Sequence, residues 1–191
     1  VNAIRGTRWK LSKVRLIPPI LGGLIWCAAP ALGGEGIDEY RVKAAFVYNF
    51  AKFVEWPLEA FTDPSDSLSI CVLGDRPFAQ RLRLLVKDQS IGPRSLAVRE
   101  VTSVTVSHCQ ILFISDSEWK RARSSLKQLA DAPVLTVGES DKFVESGGVI
   151  NFKLKDDRIR IEIATVAAVR AKLRISAKLL SLADTVSGPS K

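Results

Sequence analysis

The sequence predicts an α/β fold, a three-layer domain whose largely parallel sheet is flanked by helices and finished by a C-terminal antiparallel hairpin. Three observations lead there. Short, almost continuous apolar runs recur at 69–73, 109–114 and 133–137, the mark of strands buried on both faces. Helix-length amphipathic segments separate those runs, as βαβ units require. Beyond residue 149 the pattern changes to apolar–polar alternation on either side of a polar turn, which is how a hairpin is written.

A chain of 191 residues has room for one such domain, placed at 38–185, behind a leader at 1–31. Arg5, Arg8, Lys10, Lys13 and Arg15 stand in the leader without an acid. The apolar stretch Leu16–Trp26 and the small-residue section Cys27–Ala31 follow. Sections in that order describe a secretory signal peptide, with Ala29 and Ala31 ahead of a cut that leaves Leu32 first. Two prolines and two glycines interrupt the apolar stretch, which falls short of the roughly 20 apolar residues of a spanning helix. Of the net charge of +8, the leader's cations carry +5. The basic excess therefore belongs mostly to targeting: export to the periplasm with cleavage is expected, and a nucleic-acid partner is not.

Within the domain, Asp38 caps a helix expected over Asp38–Trp56, and Pro57 stops it. Val42, Ala45, Phe46, Phe50, Phe53 and Val54 keep helical spacing. Six of the 14 aromatic residues fall between Tyr40 and Trp56, more than one buried stripe needs, so a second contact surface is expected there. Ser69–Leu73 forms a strand running into Gly74-Asp75, and Pro77–Lys87 a helix with proline in its first turn. Leu96–Val101 alternates as a strand. Cys109–Ile114 is a buried strand, followed by Ser115-Asp116-Ser117 and a helix over Glu118–Ala130. Pro133–Val137 is a further strand, ending at Gly138-Glu139.

In the hairpin, pairing Lys155 with Arg158 sets the register. Ile150, Phe152 and Leu154 then lie opposite Ile163, Ile161 and Ile159 on a core face. Asn151 and Lys153 lie opposite Glu162 and Arg160 on a polar face, available to a partner or to water. Val166–Ala183 closes the domain as one or two helices with Leu173, Ile175, Leu179, Leu180 and Leu182 apolar.

No GxGxxG follows a strand, and GxxxxGK[ST] and GxSxG are absent, so no cofactor and no enzymatic activity are expected. His108, the one histidine, neighbours Cys109, but adjacent residues on an extended segment point to opposite sides, which disfavours a Cys–His nucleophile. The basic residues from Lys120 to Lys127 have the look of a solvated helix face without an aromatic platform for nucleic acid. The strongest ligand-site candidates are Asp75, Asp116 and Glu139, each just past an apolar strand, where α/β sheets bind ligands. Together they have the donors for Mg²⁺; the competing reading is that they cap the next helix or turn, and no metal is assigned. Cleavage would leave Cys71 and Cys109, an even number for an oxidising compartment. A bridge between them would contribute about 4 kcal/mol in the chain-entropy model, with two buried free thiols as the alternative.

The run Tyr40–Pro57 (YRVKAAFVYNFAKFVEWP) resembles the opening helix of YfiR-type periplasmic proteins. The segments 70–74 (ICVLG), 109–115 (CQILFIS), 133–138 (PVLTVG), 147–152 (GGVINF) and 175–183 (ISAKLLSLA) are similar to that family in the same order. The resemblance implies a non-enzymatic, dimerising α/β domain of the periplasm. Such proteins repress an inner-membrane diguanylate cyclase by binding its periplasmic domain, which lowers cyclic di-GMP signalling and biofilm formation, and an outer-membrane lipoprotein sequesters them. The resemblance further implies a disulfide between Cys71 and Cys109, and no second bridge, since Val144 and Asn151 stand where some members carry cysteines. It points to Glu162, Arg170 and Ile150 as partner-binding residues, although the hairpin register turns Ile150 to the core. Two other functions stand beside it: a periplasmic small-ligand sensor using Asp75, Asp116 and Glu139, or a subunit of another membrane signalling receptor.

Overall fold

The computed structural model describes residues 38–104 and 108–187; the expected signal segment lies outside the described residues. Asp38 accepts a hydrogen bond from the Arg41 amide at 3.2 Å and opens α1 (Glu39–Phe53). The helix stops short of the expected Trp56, because Val54 turns extended and joins β1 (Val54–Glu55), which pairs with residues far along the chain. Next comes β2 (Leu68–Leu73), buried throughout. Gly74 follows at φ +91°, where a Cβ would stand 2.4 Å from Ser115 Oγ, so the turn there admits glycine alone. The Asp75 carboxylate then accepts from the Phe78 amide at 2.9 Å and caps α2 (Arg76–Val86).

The chain continues through β3 (Ser90–Ile91), β4 (Arg94–Val101), β5 (Ile111–Ile114), α3 (Asp116–Leu126) and β6 (Leu135–Gly138). The hairpin is β7 (Ile150–Lys155) and β8 (Arg158–Ala164), with Asp156 and Asp157 at φ 51° and 54°, both left-handed as a two-residue primed turn needs. Its register is the predicted one, with Ile150, Phe152 and Leu154 opposite Ile163, Ile161 and Ile159. The C-terminal segment forms two short helices, α4 (Thr165–Arg170) and α5 (Ala177–Leu180). Between them lies β9 (Arg174–Ile175), the partner of β1, and β10 (Thr185–Ser187) ends the fold.

The large sheet runs in the order β10-β8-β7-β6-β5-β2-β4-β3. Its pairings are parallel except for β7 with β8 and β3 with β4. Side chains alternate along each strand, so one strand feeds two cores. Ile70, Val72, Ile111 and Phe113 pack with Val47 and Phe50 of α1 and Phe78 and Leu82 of α2. Cys71, Leu73, Leu112 and Ile114 pack on the other face with Ala122 and Leu126 of α3. The three layers follow from that division. Cys71 and Cys109 form a disulfide in the second core, their Cα atoms 5.8 Å apart.

On α1 the buried stripe is Lys43, Ala44, Val47, Phe50 and Ala51, one residue round from the apolar set expected, and Ala45 is exposed. The aromatic excess is engaged largely inside the molecule. Phe46 and Phe50 stand 6.0 and 5.8 Å from Phe152. The Tyr48 hydroxyl donates to Gln89 Oε1 at 2.9 Å, and the Trp56 indole donates to the Gln110 carbonyl at 3.1 Å.

Candidate functional site

The strand connections place a crevice at the carboxyl ends of the sheet. From β2 the chain moves outward to β4, and from β5 it moves the other way to β6, so the winding reverses between the adjacent β2 and β5. Doubly wound sheets leave a cleft at such a reversal. Here its volume is about 380 Å³, and Asp75, Asp116 and Glu139 line it together with Tyr40, Lys43 and Leu154. The three strand-end carboxylates singled out in the sequence therefore do meet.

Lys43 organises the cleft. Its side chain is only 8% exposed, and its Nζ lies 2.5 Å from Glu139 Oε2 and pairs also with Glu39, one turn earlier on α1. Burial works against the ammonium, but the hydrogen bonds and charges of Glu139 and Glu39 outweigh it and raise the lysine's pKa. The other oxygen of Glu139 accepts the Asp116 amide at 3.1 Å. It serves as the cap of α3, whose preceding Ser115 makes no side-chain capping bond. This is why α3 starts at Asp116, two residues earlier than expected. Since α1 and α3 pack on opposite faces, Glu139 ties the two helical layers together across the end of the sheet.

Asp75 is similarly engaged as the cap of α2. Its charge, followed by burial and the charge of Glu139, raises the pKa of Tyr40. Oxygens of Asp75 and Glu139 are thus already engaged by backbone amides and by Lys43. Among the described residues no group of three or more His, Cys, Asp and Glu is placed to hold a metal ion. Sequence reasoning missed Lys43, although it stands at helical spacing with Val47, Phe50 and Val54, a lone cation in an apolar stripe.

The residues suggested for partner binding are distributed differently. Glu162, on the polar side of the hairpin, pairs with Lys153 at 2.8 Å, and that bond chiefly raises the pKa of Lys153. Arg170 on α4 grips Asp131 through two hydrogen bonds of 2.8 and 3.1 Å, beside the exposed Val166 and Val169. Ile150 is fully buried among the residues of the first core, so its side chain has no surface to offer a partner. Alternation in the hairpin is the physical reason, since Ile150 shares the inward face with Phe152.

Among the described residues no helix is long and apolar enough to cross a membrane. No curated protein shares significant sequence similarity with the chain. Among solved structures, the crystal structure of a conserved domain protein from Vibrio cholerae O1 biovar El Tor str. N16961 is similar, with a TM-score of 0.51 and 11% identity. The match covers 78% of this chain and 60% of that one, a likeness of fold alone in which this chain spans about three fifths of its neighbour. The profile of the YfiR/HmsC-like family, regulatory proteins of the periplasm, matches residues 40–184. Running from the first turn of α1 to the residue before β10, that match takes in nearly the whole described fold, and the chain belongs to the YfiR/HmsC-like family.

Proposed function

We propose that the protein is a periplasmic repressor that binds the periplasmic domain of an inner-membrane diguanylate cyclase, lowering cyclic di-GMP signalling and biofilm formation. The family match over residues 40–184 carries this reading. In it, the leader 1–31 directs export and is removed, and residues 38–185 act as one domain, as a homodimer. Glu162 on the hairpin and Arg170 on α4 contribute to the partner surface, and an outer-membrane lipoprotein sequesters the protein when repression is relieved. The exposed Val166 and Val169 beside Arg170 support a contact there. Capture of the tagged protein from gently solubilised inner membranes should enrich a cyclase with a periplasmic domain, and the purified pair should associate at about micromolar concentration. Recovery of a different receptor, or no association of the pair, would overturn the cyclase assignment.

A second reading, a periplasmic small-ligand sensor, is supported by the convergence of Asp75, Asp116 and Glu139 in one cleft. Calorimetry against amines, amino acids, nucleotides and divalent metals tests it, and silence across that panel removes it.

A further inference from the structure

The larger cavity lies at the opposite, amino end of the strands and belongs to neither reading above. Its volume is about 480 Å³, and its polar lining includes Thr62, Ser67, Ser69, Arg99, His108 and Gln110, with the carboxylates of Glu59 and Asp66 at the rim. The floor is buried and rigidly held. Ser69, Cys109 and Gln110 are 5% exposed or less, and Cys109 is bonded to Cys71. The Gln110 amide accepts from the Ser69 amide at 2.8 Å and donates to the Ala60 carbonyl at 2.7 Å, joining three segments behind the cavity.

The rim is different. The carboxylates that reach it are engaged: Glu59 pairs with Lys172 at 3.2 Å, and Asp66 accepts the amides of Thr62 and Asp63 at 2.8 Å each. Arg99 and His108 are exposed and have no hydrogen-bond or ion-pair partner among the described residues. His108 also sits at φ +69°, a left-handed conformation that a non-glycine residue adopts at a cost in backbone energy. A fixed floor, a hydroxyl-rich wall and uncommitted nitrogen-bearing side chains at the rim form a preorganised site for a particular chemistry.

We propose that this cavity binds a small hydroxylated anion, a sugar acid or a sugar phosphate. Arg99 takes the anionic group, with His108 beside it as a further hydrogen-bond donor. Thr62 and Ser69 exchange hydrogen bonds with ligand hydroxyls, since each hydroxyl both donates and accepts, and Ser67, already paired with Ser95 at 2.8 Å, keeps capacity for one more. Ala132, Pro133 and Val134 complete the lining and give the C–H face of a sugar ring an apolar wall.

Calorimetric titration of the exported protein with glucuronate, glucose 6-phosphate, glucose and inorganic phosphate tests the assignment. Binding of glucuronate or glucose 6-phosphate, tighter than that of glucose or phosphate, is expected, and the preferred one of the two identifies the anionic group. Arg99→Gln should weaken that binding at least tenfold, about 1.4 kcal/mol, with an unchanged melting temperature. His108→Gly should also weaken it while making the fold more stable, a combination that unfolding cannot produce. The proposal is overturned if neither ligand binds at about 10 mM. It is overturned equally if glucose or bare phosphate binds as well as the hydroxylated anions, or if Arg99→Gln leaves the affinity unaltered.

Discussion

At the carboxyl ends of the strands, Lys43 closes on Glu39 and Glu139, and Glu139 also caps α3. At the amino ends, a covalent bridge and a buried amide hold the framework, while Arg99 and His108 stand without partners among the described residues. The difference separates two meanings of a charged cluster. Where charges satisfy one another across two layers, they fasten the fold; where neutral and covalent links do the fastening, rim side chains remain uncommitted. The partners of Lys43 and Glu139 are thus accounted for within the fold, whereas those of Arg99 and His108 are not found among the described residues.

Substitutions at each end probe this contrast. The largest effect is expected from Cys71→Ser, which releases the amino-end framework and should lower unfolding stability by about 4 kcal/mol in denaturant titration. A loss under about 1 kcal/mol would mean that Gln110 holds that end by itself. At the carboxyl end, Lys43→Met leaves Glu139 unpaired and should cost about 3 kcal/mol, much of it recovered in the Lys43→Met/Glu139→Gln double variant. A double variant no better than the single one would show that Lys43 acts by packing and not by charge.

The pH dependence of that second loss follows from the raised pKa of Lys43. A raised lysine pKa contributes stability that is fully present below the ordinary value of 10.5 and is lost as pH climbs through the higher folded value. Wild type and Lys43→Met should therefore differ by a constant amount through neutral pH and converge only beyond 10.5, which thermal melts across that range would register. The smallest effect, and of opposite sign, is expected of His108→Gly, which relieves a left-handed backbone and should stabilise the protein by about 1 kcal/mol.

The central strands β2, β5 and β6 were legible because burial on both faces leaves near-continuous apolar runs, and the hairpin register because alternation admits one pairing across a two-residue turn. The short edge strands β3 and β10 carry no such pattern and were not foreseen. Strand ends also led correctly to the meeting of Asp75, Asp116 and Glu139. What each carboxylate does there was not legible. Capping depends on which amide lies nearest in space, and Glu139 caps a helix 23 positions before it in the chain. The end of α1 was misplaced for a related reason, since Val54 and Glu55 pair with Ile175 and Arg174, which no local pattern announces. Lys43 was visible as an anomaly in a helical stripe, but the acids that justify it come from a neighbouring turn and from the far side of the sheet. The rim at the amino end joins Arg99 of β4 to His108, which precedes β5 outside any strand pattern, so no single stretch of sequence announces the pair.

The two-residue pairing of β1 with β9 also has a kinetic consequence. It joins positions some 120 residues apart in the sequence. Loop closures of that span are slow. The C-terminal end of α1 thus stays provisional until residue 175 arrives, whatever the order in which the sheet assembles. A chain delivered from its N terminus would spend its vulnerable interval with Phe50, Phe53 and Val54 uncovered, and its dependence on folding helpers should concentrate in that first helix.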